Sequence, residues 1–139
     1  MIIAKEALRE EFQDPEARHD YAEIFLNSSI ALQIKALRLQ RGWSRQMLAE
    51  RAGMKQSRIS AMEQASYTGW SLRTLQRLAQ AFDLALEVRF EGFGTMLNDA
   101  ASVSRTALER PSFGDDPAFK SEETVLGPRR TSGGSGRKT

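Results

Sequence analysis

The sequence predicts an all-α bundle of about five helices followed by a short C-terminal β-strand. Three observations carry this expectation. Apolar residues return every three or four positions between residues 15 and 82, helix-capping residues and glycines punctuate that rhythm, and beyond Asp83 the period falls to two. The chain has 139 residues, 40% hydrophobic and 27% charged, enough for one small domain with tails. It has no cysteine and a single histidine, His19, which argues against disulfide scaffolds, thiol or imidazole catalysis and a histidine-rich metal site. The first residues carry acids among short apolar pairs, so neither a secretion signal nor a membrane span is expected, and the expected compartment is the cytoplasm. The carboxylates are scattered without catalytic spacing, so neither an enzyme nor a cofactor is expected.

The first helix signal is Asp14-Pro15-Glu16: a capping side chain, a proline suited to the first helical position and an acid that complements the dipole. Tyr21, Ile24, Phe25 and Ser28 then set an inward face, which Ile30, Ile34 and Leu37 continue up to the stop at Gly42. The triplet Asn27-Ser28-Ser29 fits the cap of a second helix as well as one continuous helix. Ser44 caps a short helix, Arg45 to Ala52, with Met47, Leu48, Ala49 and Ala52 on its buried side. Gly53 turns the chain into another, about Gln56 to Gln64, with Ile59 and Met62 inward. Ser71 caps the next, where Leu72, Leu75, Leu78, Ala79 and Phe82 close the core. Trp43 and Trp70 read as packing residues at the core's ends. Leu84, Leu86, Val88 and Phe90 alternate with Ala85, Glu87 and Arg89 as a strand.

Charge is segregated along the chain. Residues 1–25 hold three basic against seven acidic residues, a net −4, whereas residues 35–58 hold seven basic residues against Glu50 alone, a net +6. A basic block of that size is the footprint expected where a protein meets phosphate, although a solvated helix face accounts for it equally well by itself.

From Ile34 to Phe90 the chain resembles the lambda-repressor-like (Cro/CI, XRE-type) helix-turn-helix transcriptional regulators. The resemblance rests on Leu37-Arg38, Gly42-Trp43-Ser44, Leu48-Ala49-Glu50-Arg51-Ala52-Gly53, Ile59-Ser60, Glu63, Leu75 to Phe82 and the strand from Ala85 to Phe90. It implies a double-stranded DNA-binding regulator, most simply a dimeric repressor. The helix beginning near Gln56 would enter the major groove, with Lys55, Gln56, Ser57 and Ala61 reading base edges. Phosphate contacts would come from Arg41, Ser44, Arg45, Arg58 and Arg73. Arg45 departs from the family, which usually has glutamine there, and this puts the bracing of Gln56 in question.

An unpaired strand seeks another strand, so Leu86, Glu87, Val88, Arg89 and Phe90 are expected to dimerise with a second copy, Glu87 and Arg89 facing as opposite charges. The competing partner is Ile2-Ile3-Ala4 at the chain start. The expected organisation is an acidic helical extension (1–25), the DNA-binding domain with its strand (26–91) and a tail (92–139). In that tail Met96, Leu97, Ala100, Ala101 and Leu108 fit one more helix, Pro111 ends it, and disorder is expected from there on. Phe113 and Phe119, among Asp115, Asp116 and Glu122, form a candidate docking segment. Two alternatives accompany the repressor reading: an antitoxin whose extension or tail holds a toxin, and a protein-interaction adaptor that no longer binds DNA.

Overall fold

The computed structural model describes residues 2–99 and 105–120. These form seven α-helices: α1 (Ile2–Glu11), α2 (Pro15–Gln40), α3 (Arg45–Ala52), α4 (Gln56–Met62), α5 (Leu72–Phe82), α6 (Phe93–Asp99) and α7 (Arg105–Leu108). Two 3-10 turns follow, at Phe113–Asp115 and Pro117–Phe119. The five-helix expectation is therefore exceeded, because helices flank the predicted bundle on both sides.

α2 is one continuous helix, started by the Asp14 carboxylate, which accepts from the Glu16 N–H. The Asn27-Ser28-Ser29 triplet does not interrupt it: the Ser28 hydroxyl donates back to the Ile24 carbonyl at 2.8 Å, sharing an acceptor of the helix instead of capping a new one. The boundary expected at residue 25 consequently falls inside α2. Gly42 ends the helix at φ +70°, a left-handed conformation that favours glycine.

The main core gathers Ile34 and Leu37 from α2, Leu48, Ala49 and Ala52 from α3, Ile59 and Met62 from α4, and Leu78 and Phe82 from α5. Leu48, Ile59 and Met62 are wholly enclosed. Trp43 caps this core by stacking nearly parallel on Phe82, with ring centroids 5.7 Å apart, while the Arg51 guanidinium lies 4.4 Å from its ring centroid. Three residues assigned to inward faces by spacing point outward instead: Ile24, Met47 and Leu72 are 68%, 39% and 60% exposed. Each lies at the edge of its stripe, where periodicity alone does not say how far the neighbouring helix reaches.

A second cluster ties the amino-terminal extension to α6. Phe12 meets Tyr21 and Phe93 edge-on at 5.1 and 5.5 Å, His19 meets Phe93 at 5.3 Å, and Lys5 donates to Asn98 at 3.1 Å. The segment Ile2-Ile3-Ala4 is thus helical and not a partner strand.

Two further expectations are corrected. Residues 84–90 form no strand, because none of the described residues offers them a ladder. Leu84 donates its N–H to the Ala79 carbonyl, and from Ala85 to Glu91 the backbone makes no hydrogen bond to another described residue. The chain past Pro111 is also not structureless throughout. Arg110 donates its N–H to the Gln40 side chain at 2.9 Å, Phe113 donates to the Asp83 carbonyl at 3.2 Å, and the Phe113 and Phe119 rings meet at 4.7 Å. These anchors are backbone hydrogen bonds to helix ends, which no apolar period announces. Ala100, Ala101 and Glu122 lie outside the described residues.

Candidate nucleic-acid interface

The turn between α3 and α4 is built by a few local rules. Ser44 starts α3 by accepting from the Met47 N–H at 3.1 Å. Gly53 ends it at φ +66°, and Met54 folds back to the Ala49 carbonyl at 2.9 Å. A seven-residue helix such as α4 does not hold itself in water, so its position depends on burying Ile59 and Met62 against α3 and α5. With those two inward, the 100° advance per residue turns Ser57 and Ala61 to the opposite side and leaves Gln56, three residues before Ile59, on the flank in the first turn. All three are exposed, as is Lys55 at the helix entrance. None of their side chains makes a hydrogen bond or ion pair with another described residue.

The basic residues differ in how far they are committed. Arg73 is exposed and unpaired among the described residues. Arg58 is exposed but donates to the Thr74 hydroxyl at 2.9 Å, which fixes it beside the start of α5. Arg45, 43% exposed in its side chain, lies 3.4 Å from Glu63 Oε2, so it reaches toward the end of α4 and not toward Gln56. Arg41 departs most from expectation. Its Nη1 donates to Gln40 Oε1 at 2.8 Å and to the Arg110 carbonyl at 2.6 Å, and its Nη2 donates to the Phe82 carbonyl at 3.0 Å. Burial lowers its pKa from the ordinary arginine value, against the opposing pull of Asp115 and Asp83. Arg41 is a clamp between helix ends, already engaged with protein acceptors.

A pair missed by sequence reasoning stiffens the site from behind. Arg38 Nε and Nη2 grip the Glu63 carboxylate at 3.0 and 2.9 Å, and Nη1 donates to the Trp43 carbonyl at 2.9 Å. Glu63 is 1% exposed in its side chain and Arg38 9%. The two-point grip joins the end of α4 to α2 with a fixed fork geometry. Both residues stand in the quoted family-like text, but their 25-residue separation leaves no local sign that they meet.

Two short helices at a tight glycine turn, the second presenting an uncommitted polar face beside free cationic side chains, define a helix-turn-helix DNA-binding unit. Residues 34–88 match the family model described as helix-turn-helix. That model describes DNA-binding regulatory domains of the XRE type, not enzymes. No curated protein and no solved structure matches the chain. Among the described residues no helix is long and apolar enough to cross a membrane.

Proposed function

We propose that the chain is a homodimeric, sequence-specific repressor that acts on nucleoid DNA in the cytoplasm and occludes a promoter at a palindromic operator. Two α4 helices, one from each copy, would occupy successive major grooves with half-site centres about 34 Å apart. The observation that carries this reading is the uncommitted outer edge of α4, held on a helix locked by Ile59 and Met62. In it, Gln56 pairs with an adenine edge, Ser57 donates or accepts beside it, the Ala61 methyl meets a thymine methyl, and Lys55 stands at the entrance. Ser44, Arg45, Arg58 and Arg73 take the phosphates. Arg41 leaves that set, because its donors are directed to Gln40, Phe82 and Arg110.

The test is selection of bound sequences from a random duplex pool, followed by affinity measurements at two salt concentrations. Enrichment of a palindrome with half-sites one turn apart is expected; weak, salt-sensitive binding with no enrichment would reject sequence-specific recognition. With the enriched site in hand, Gln56→Ala is expected to cost about 1–3 kcal/mol there and almost nothing on random DNA. Equal losses on both would remove Gln56 from base readout. Arg45→Ala is expected to weaken binding to every sequence and to lower the salt slope by about one. Because the Arg45 pair with Glu63 is half exposed, the fold should lose less than about 1 kcal/mol. An unchanged slope would take Arg45 out of the phosphate contacts.

A further inference from the structure

An arginine on the exposed side of a short helix ordinarily samples many rotamers, and ordering it on a ligand costs entropy. Arg58, in the first turn of α4, is exposed and yet tied down. Its Nη2 donates at 2.9 Å to the hydroxyl of Thr74, 16 positions away on α5. Thr74 is 4% exposed, and its hydroxyl is held from a second side. The Ser71 hydroxyl donates to it at 2.9 Å, while the Thr74 N–H donates back to Ser71 Oγ at 3.2 Å. The cap that starts α5 and the Arg58 guanidinium thus converge on one buried oxygen.

That oxygen is neutral, which sets Arg58 apart from the other basic side chains nearby. Arg38 and Arg45 both face the Glu63 carboxylate, so their charge is met inside the protein. Arg73 keeps its charge but has no anchor among the described residues. Arg58 alone of these is aimed without being neutralised, and its Nε and Nη1 donate to no other described residue.

We infer that Thr74 is a positioning residue for operator recognition: by aiming Arg58 at one phosphate, it sets the depth and roll at which α4 meets the bases. Phosphate contacts fix register and base contacts read sequence. Gln56 and Ser57 immediately precede Arg58 in the same helical turn, so an error in where Arg58 finds its phosphate is passed directly to them. A specific complex requires that one geometry. A complex with random duplex does not, because counterion release is indifferent to which phosphate is neutralised. The anchor therefore contributes to discrimination and hardly at all to general affinity.

This inference rests on the repressor reading above, and its test compares the operator duplex recovered by selection with a random duplex at several salt concentrations. Thr74→Val keeps the shape of the side chain and removes only the hydroxyl. Ser71 still accepts from the N–H of residue 74, and its exposed hydroxyl can turn to water, so the helical circular dichroism of the parent should persist. Operator affinity should fall about three- to tenfold, the cost of ordering one released side chain. Affinity for random duplex should change by less than about twofold at an unchanged salt slope, since the charge is retained. Thr74→Ser, which keeps the hydroxyl, should bind as the parent does. Arg58→Ala should weaken binding to both duplexes and lower the salt slope by about one, and adding Thr74→Val to it should cost nothing more. A discriminating parent whose Thr74→Val variant keeps the full ratio of operator to random affinity overturns this proposal alone. So does an undiminished Thr74→Val loss in the Arg58→Ala background, which would give Thr74 a role apart from Arg58. A parent that does not discriminate rejects the operator reading itself and takes this proposal with it.

Discussion

Glu63→Ala is expected to destabilise the protein by about 3–5 kcal/mol, read from the midpoint of urea unfolding at an unchanged slope. The loss does not arise from an attractive contact alone. Arg38 is held inside the protein with two of its nitrogens, Nε and Nη2, directed at Glu63 and Nη1 at the Trp43 carbonyl. Removing the carboxylate leaves a guanidinium that neither water nor another acid satisfies, and the desolvation it already suffers is then uncompensated. Arg45 adds little to this, being half exposed and at 3.4 Å. A second comparison isolates the cause. The double variant Arg38→Met with Glu63→Leu removes both charges, and it should recover most of the lost stability because well-packed apolar pairs often equal buried ion pairs. A loss under about 1 kcal/mol for Glu63→Ala would mean that the pair is effectively solvated.

Ile59→Ala should cost about 2–5 kcal/mol, and Ile59→Val about 0.5–1.5 kcal/mol, because the site is fully enclosed and partial collapse only partly refills the void. The consequence for function separates it from a surface change. α4 has seven residues and two buried anchors, so loss of Ile59 loosens the helix that carries Gln56 and Ser57. Sequence-specific affinity should therefore fall along with the unfolding midpoint. Gln56→Ala makes the complementary case, changing stability by no more than about 0.5 kcal/mol while specificity is lost. An Ile59→Ala protein of undiminished stability would show that α4 is held by contacts other than this side chain.

The parts of the fold legible in the sequence are those set by neighbours within a few residues. Asp14 with Pro15, Ser44 and Ser71 start helices where their side-chain chemistry says they should, and Gly42 and Gly53 take the left-handed backbone that ends them. The inward pair Ile59 and Met62, and hence the outward face of α4, follows from the same arithmetic of helix spacing. What escaped depends on residues far apart. Alternation at residues 84–90 reports a segment suited to pairing, but whether one chain contains the partner is a matter of topology. The Arg38 fork on Glu63 spans 25 positions, and the docking of Arg110 and Phe113 on helix ends spans still more. In the same way, the basic block from Lys35 to Arg58 reads as one phosphate-seeking unit, although tertiary contacts divert Arg38 and Arg41 to internal acceptors.

The clamp at Arg41 also bears on the order in which the molecule assembles. α3 and α4 find each other across a loop of a few residues, whereas Arg41 reaches Phe82 across 41 positions and Arg110 across 69, and Lys5 reaches Asn98 across 93. Closing longer loops costs more chain entropy before any contact rewards it. Loop closure therefore predicts that the central helices supply the nucleus and that the docking of α6 and of the segment from Glu109 to Phe119 follows. Arg41 marks the seam between the two stages: it belongs to the early core by position and to the late layer by its bonds.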